Sequence, residues 1–331
     1  MAVYTDVDDQ SLAAFLAQYN VGTLRSCKGI AEGVENSNYL VHTTQGFFIL
    51  TLYERRVNAD DLPFFIGLMQ HVAAAGLACA APIVRKDGAT LSTLCGRPAA
   101  LISFLEGVSV NRPQALHCGE LGAALAQFHL ASRDFTTERP NTLSLNGWKA
   151  LLEQVPEQAN TVFHGLTNRI KTQLTRITHQ WPIAEQAQAL PRGIIHADLF
   201  PDNVFFIGER ISGLIDFYFA CTDWLAYDVA ICLNAWCFES DGSYNLTKGQ
   251  ALLQGYNRIR PFTDAEREHF NVLCQGAAMR FLLTRFVDWF NVPEGALVKR
   301  KDPLEYDRKL RFHARVSHAR EYGWPADGAA I

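Results

Sequence analysis

Three oxygen-bearing side chains, Asp198, Asn203 and Asp216, recur through residues 193–218, which read GIIHADLFPDNVFFIGERISGLIDFY. Carboxylate and amide oxygens suit a hard cation such as Mg²⁺, which takes one or two carboxylates and leaves its other positions to water and phosphate. Asn203 and Asp216 fit that part. Asp198 then takes the part of proton acceptor for an attacking hydroxyl. A plainer reading has His196, Asp198 and Asn203 making only turn hydrogen bonds, as Asx residues often do. It accounts for the turn but not for the Ile-Asp-Phe at 215–217 that follows at a fixed distance.

These side chains need a frame. Apolar runs at 194–195 and 204–207 bracket the polar turn 196–203, and a third run, 211–215, ends at Asp216. The pattern is strand, loop, strand, turn, strand. It returns Asp198 and Asn203 to one place and lets Asp216 meet them. Upstream, the first hundred residues read as sheet-rich. A short helix capped by Asp8 or Asp9 precedes a hairpin of strands 39–42 and 47–53, turned at Gln45-Gly46. Residues 60–75 have helical periodicity and end at Gly76. Short strands are expected at 83–84, 90–94 and 97–104. From Pro113 onward the periodicity is helical: 114–131, a helix capped at Asn146, then 161–180, 224–238, 247–259, 264–291 and 302–321.

The motif His-Ala-Asp-Leu-x-Pro-x-Asn with a following Ile-Asp-Phe resembles the aminoglycoside phosphotransferase/choline kinase-like superfamily. Within it, IIHADLFPDNVFF and IDFYFACTDWLAYDVAICLNAWCFE look like the kinase-like homoserine kinases, over nearly the whole chain. The resemblance implies an α+β, two-lobed protein-kinase-like fold: a small sheet-rich N-terminal lobe at 1–104 and a larger, mainly helical C-terminal lobe at 105–331. It implies ATP and Mg²⁺ as cofactors and a small-molecule acceptor, L-homoserine, phosphorylated on its side-chain hydroxyl in threonine biosynthesis. Asp198 would be catalytic and Asn203 and Asp216 would bind the metal. His196 and Asp228 would be structural support for the catalytic segment. The loop ahead of Tyr39 occupies the place of the phosphate-covering loop, with Lys28 in it and Gly29 and Gly33 letting backbone amides approach the phosphates. Residues 103–107, with Ser103 and Leu105, would join the lobes and meet the adenine edge.

One departure from the family pattern stands out. Kinase-like proteins place a Lys in the second hairpin strand, paired with a Glu of the next helix. Here Thr51 holds that place, and 60–75 contains no Glu. Either Arg55, Arg56 or Lys28 substitutes, or loop amides and Mg²⁺ carry the phosphates. For the acceptor, Asp223 is a candidate ammonium ligand. Arg280 and Arg285 lie in an apolar helix, where a guanidinium must meet an acid such as Asp288 or a substrate carboxylate. Two further readings remain: a sibling kinase for choline, an aminoglycoside or another amino alcohol, and a catalytically inactive kinase-like scaffold.

Composition narrows the remaining classes. The 331 residues are 48% hydrophobic with net charge −4, which disfavours nucleic acid or an anionic membrane as partner. The eight cysteines include no Cys-x-x-Cys pair. Asp6, Asp8 and Asp9 stand where a signal peptide needs a basic start. No stretch reaches transmembrane length. A soluble, reduced, cytoplasmic protein is expected, and no pattern here speaks to oligomeric state.

Overall fold

The computed structural model describes residues 4–30, 36–54, 58–291 and 300–324. Gly33, Arg55 and Arg56 lie outside these residues. Helix α1 (Asp9–Leu16) starts where Asp8 accepts the Ser11 amide. Its Leu12, Phe15 and Leu16, with Tyr19, pack on one face of an antiparallel sheet, against Val41, Leu50, Leu52 and Leu101. The strands are β1 (Leu24–Ile30), β2 (Asn36–Thr43), β3 (Gly46–Tyr53), β4 (Ser92–Leu94) and β5 (Arg97–Ser103), in the order β1-β2-β3-β5-β4. Helix α2 (Leu62–Ala74) joins the main core through Phe65, Ile66 and Met69. It carries Pro at its start, where the missing N–H costs nothing.

Beyond the sheet the chain is mostly helix: α3 (Ala115–Ala131), α4 (Leu145–Glu153), α5 (Ala159–Val162), α6 (Leu166–Gln180) and α7 (Ala184–Ala189). Two short antiparallel pairs follow. Strand β6 (Arg192–Ile195) pairs with β9 (Cys221–Trp224), and β7 (Val204–Ile207) pairs with β8 (Arg210–Leu214). The chain closes with α8 (Leu225–Trp236), α9 (Leu246–Ile259), α10 (Asp264–Asn291) and α11 (Pro303–His313). Helix α8 is buried along almost its whole length, which makes it the post on which the catalytic turn rests. Helices α3 and α9 approach backbone to backbone. A Cβ on Gly122 would collide with the Leu252 carbonyl, and one on Gly255 with that of Gly119. That closeness brings Tyr256 of α9 to His129 of α3.

The segment linking sheet and helices is stitched to the β7–β8 hairpin. Val108 and Phe206 exchange backbone hydrogen bonds of 3.0 and 2.9 Å, and the Ser212 hydroxyl donates to the Glu106 carbonyl at 2.6 Å. No helix among the described residues is long and apolar enough to cross a membrane.

The two-part architecture agrees with the sequence reading, and four local expectations do not. Lys28 and Gly29 sit in strand β1, opposite Leu40 and Tyr39; an edge strand with an exposed face lacks the apolar alternation that marks a strand in sequence. Residues 83–84 make no strand of their own, because Ile83 only donates its amide to Leu101 beside the sheet. Helix α4 is preceded by Ser144, two residues before the expected cap. The last helix stops at His313, since Glu321 takes the amides of Ser317 and His318 and turns the chain away.

Candidate active site

Between β6 and β7 the backbone makes a turn with no local reason to form. Ala197 adopts φ +63°, a left-handed conformation that costs an L-residue roughly 1–2 kcal/mol. The compensation comes from α8. The buried Asp228 carboxylate accepts the amides of His196 at 2.7 Å and Ala197 at 2.9 Å, and the His129 ring at 3.2 Å. Burial alone would raise the Asp228 pKa. The hydrogen bond from His129 and that from the His196 amide outweigh it, and the carboxyl is held below its usual range. His129, pushed below its ordinary pKa by burial, is neutral at pH 7. It therefore donates through Nε2 to Asp228 and accepts the Tyr256 hydroxyl at Nδ1, 2.7 Å away.

Three segments are tied together at this point. Asn203 Nδ2 donates to the Asp198 carbonyl at 2.8 Å and to Asp198 Oδ2 at 3.2 Å. Both partners are acceptors, so the amide must present its NH₂ to them, leaving Oδ1 on the other side. The Asn203 carbonyl accepts the Ile215 amide at 3.1 Å, and His196 Nε2 donates to the Ile215 carbonyl at 3.1 Å. Asp216 follows directly, itself left-handed at φ +65°. Burial lifts its pKa to about 6, against the opposing hydrogen bond from the Tyr218 amide. The His196 ring is fully buried, and burial drops its pKa to about 4. It is a neutral brace between the two left-handed residues.

Arg280 of α10 reaches into the same knot. Its Nη1 donates to the Ala197 carbonyl at 2.6 Å, and its guanidinium lies 4.7 Å from the Phe281 ring centroid and 5.5 Å from that of Phe219. The residue is only 2% exposed, and Nε has no hydrogen-bond partner among the described residues. No acidic side chain among them pairs with it. Arg285 is differently placed. It donates to Glu305 Oε2 at 2.6 Å and lies over the Tyr306 ring, so its acid comes from α11. Asp223 accepts Asn141 Nδ2 at 2.7 Å and its neighbour's amide.

A cavity of about 210 Å³ opens beside this knot. It is lined by Asn58, Asp61, Phe65, Arg139, residues 141–143, Tyr218, Phe219 and Arg280. Asp61 and Arg139 form an ion pair at 2.8 Å. The sequence reading singled out neither residue, because no local pattern marks them and they stand 78 residues apart. His129 lies in the last turn of α3 and is buried. It packs, and it also carries Asp228, a role that only the approach of α3 to α8 reveals.

The sheet side of the cleft is neutral where a lysine was absent in sequence. The Thr51 hydroxyl donates to Asn38 Oδ1 at 2.9 Å, and Tyr53 and Tyr218 share a hydrogen bond of 3.0 Å. Lys28 and Gly29 are exposed on β1. Ser103 exchanges bonds with Ala81 through its amide and hydroxyl. Leu105 packs over Gly213 of β8, at 2.5 Å from where a Cβ would stand.

The family model for the phosphotransferase enzyme family matches residues 26–262. A homoserine kinase of Xanthobacter autotrophicus is 61% identical over 326 residues, covering 98% of this chain and 100% of that protein. A homoserine kinase of Brucella anthropi is 58% identical over 330 residues, with both chains covered in full. Among solved structures, an amicoumacin kinase in complex with AMP-PNP and Ca²⁺ superposes with TM-score 0.66 at 14% identity, covering 96% of this chain and 93% of that one. A kinase-like fold, a full-length match at this identity and a site built around a His-x-Asp turn agree, and the chain belongs to the phosphotransferase enzyme family, among its homoserine kinases.

Proposed function

We propose that the chain transfers the γ-phosphoryl group of ATP to the side-chain hydroxyl of L-homoserine, giving O-phospho-L-homoserine and ADP. The bond from hydroxyl oxygen to phosphorus forms as the bond to the ADP oxygen breaks, and the hydroxyl proton passes to the Asp198 carboxylate. The observation that carries this reading is the bonding of Asn203 to Asp198 and, through Ile215, to the position before Asp216. In this reading it brings the segments that carry a proton acceptor and two oxygen ligands together.

Mg²⁺ fits these residues. Among the described residues no group of three or more His, Cys, Asp or Glu side chains is gathered to hold a metal alone. Asn203 Oδ1 and the Asp216 carboxylate offer one neutral and one charged hard ligand, a set completed by phosphate oxygens and water. When bound, the ion neutralises charge on the transferring phosphoryl group. The protein's own residues do the positioning. Asp228 fixes the turn, Asn203 holds the Asp198 backbone, and His196 ties the Asp216 segment to both.

We take 1–104 as the nucleotide-binding lobe and 105–331 as the catalytic and acceptor-binding lobe. Lys28 and Gly29 meet the phosphates in this reading, and Ser103 and Leu105 the adenine; Gly33 lies outside the described residues. Arg280 receives the homoserine carboxylate, since it is the buried guanidinium without an acid partner among the described residues. Arg285 and Asp223 serve behind it, committed as they are to Glu305 and Asn141.

A coupled ADP-release assay with homoserine, choline, 3-aminopropanol and an aminoglycoside tests the assignment. Homoserine should give the highest kcat/KM of the four. Turnover of another acceptor with none of homoserine would overturn it.

A further inference from the structure

Resting on that reading, we propose that Asp61 is the receptor for the homoserine ammonium group, and that the Asp61–Arg139 pair sets specificity for a zwitterionic acceptor. The cavity beside the catalytic turn is lined by one carboxylate, Asp61, and two guanidiniums, Arg139 and Arg280. The two cations are not equivalent. Arg139 is already neutralised by Asp61 and further held by the Ala220 carbonyl, 3.2 Å from Nη1. Arg280 has no acid partner among the described residues and is nearly fully buried. A buried charge of that kind calls for an anion, and the acceptor's carboxylate supplies it. An acceptor so anchored has its ammonium one carbon away, inside a cavity whose lining offers one carboxylate.

Asp61 is built for the part. It stands at the N-terminal end of α2 but makes no side-chain cap hydrogen bond there. Arg139 Nε occupies Oδ2, and Oδ1 has no hydrogen-bond partner among the described residues. Arg139 thus works as a positioning residue: held by Ala220 and lying over the Phe65 ring at 5.0 Å, it fixes the carboxylate without using up both oxygens. Asp223, by contrast, does not line the cavity. It holds Asn141, whose own Oδ1 accepts the Leu143 amide, and so shapes the wall from behind. The cavity also reaches the chemistry: Tyr218 and Phe219 stand two and three residues after Asp216, and Arg280 is bonded to the residue before Asp198.

The test uses the full-length protein with saturating Mg·ATP and three acceptors: L-homoserine, 4-hydroxybutanoate, which lacks the ammonium, and 3-aminopropanol, which lacks the carboxylate. Asp61→Asn should raise KM for homoserine roughly 10- to 100-fold, the worth of one charged hydrogen bond, with a smaller effect on kcat. The preference for homoserine over 4-hydroxybutanoate should shrink by the same factor. If Asp61 merely supported the fold through Arg139, all acceptors would suffer alike and that preference would persist, which overturns the proposal. Asp61→Glu keeps the charge and the pair with Arg139 while shifting the oxygens by one methylene. Should Asp61→Asn fail to fold, the same ratio read in Asp61→Glu decides, an unchanged ratio overturning the assignment. A parent chain that turns over no homoserine would overturn the kinase reading itself; a parent that prefers homoserine, with variants that keep the preference, removes Asp61 alone.

Discussion

Around the catalytic turn, a fully buried carboxylate takes two backbone amides and an imidazole, and a neutral histidine bridges to Ile215, just beyond β8. Across the cleft, the strand that usually carries a phosphate-binding lysine offers Thr51 and Asn38, sharing one neutral hydrogen bond. The first region concentrates charge where water is excluded, and every group in it depends on its neighbours. The second relies at Thr51 on a neutral hydrogen bond and should tolerate change there. The contrast says where this kinase keeps its buried charge, around the turn that carries Asp198 and Asn203; in the proposed mechanism phosphate binding is then left to Mg²⁺, backbone amides and exposed cations.

The largest effect should come from Asp198→Asn. Volume is conserved and only the proton acceptor is altered, so kcat should fall about 10²- to 10⁴-fold with the unfolding transition unchanged; near-normal turnover would take Asp198 out of the mechanism. Asp228→Asn should cost about 3 kcal/mol in urea unfolding, because an amide cannot accept from all three donors that now converge on the carboxylate. Thr51→Val, the matching change across the cleft, should cost about 1 kcal/mol or less. If the two costs were equal, the asymmetry between the regions would be wrong. Next come the ligands. Asp216→Ala should shift the Mg²⁺ titration of activity further than Asn203→Ala, since a charged ligand is lost rather than a neutral one. Excess Mg²⁺ should partly rescue only the latter, and superimposable titrations would remove both from the metal site.

Acid should expose the same asymmetry. Burial holds His196 at a pKa of about 4 and His313 at about 3, against about 6.5 in an unfolded chain. Below pH 6.5 the unfolded chain binds protons that the folded rings refuse. Asp216, lifted to about 6, takes up a proton in the fold and offsets part of this. On balance stability should decline as pH drops from 6.5 toward 4. The Asp228 contribution, with its pKa depressed in the fold, is fully present throughout that window. Urea midpoints equal at pH 7 and pH 4.5 would mean the rings ionise in place. The smallest effect is expected at Thr51→Lys. No Glu lies in α2 to receive the new cation, so KM for ATP should not improve; a clear fall would show that the strand still expects a lysine.

The parts legible in sequence were those whose geometry is local. Asp198 and Asn203 are five residues apart across one turn, and Asp216 ends the hairpin that follows, so type and spacing sufficed. Asp228 was legible only by resemblance, since nothing near it names its partners. Arg139, Asp61 and the supporting role of His129 were not legible, because each gains its meaning from a partner on a distant element: α2 meeting the 139–143 loop, and α3 meeting α8. Arg280 and Arg285 looked alike in one apolar helix. Only the arrival of Glu305 from α11 separates the paired guanidinium from the one facing the cavity. Strand β1 was missed because its residues carry no apolar alternation and owe their conformation to β2.

The left-handed Ala197 bears on when this enzyme becomes active as it folds. The turn is uphill on its own, and the carboxylate that holds it lies 31 residues later in the chain. Synthesis delivers the catalytic turn before α8, and the turn has no stable form until that helix docks. Asp198 reaches its working position only once α8 has docked and Asp228 has taken the two amides. Catalytic competence is therefore a kinetic end point: a partly folded chain can carry every active-site residue and still transfer nothing, and refolding assays should recover activity no earlier than the burial of α8.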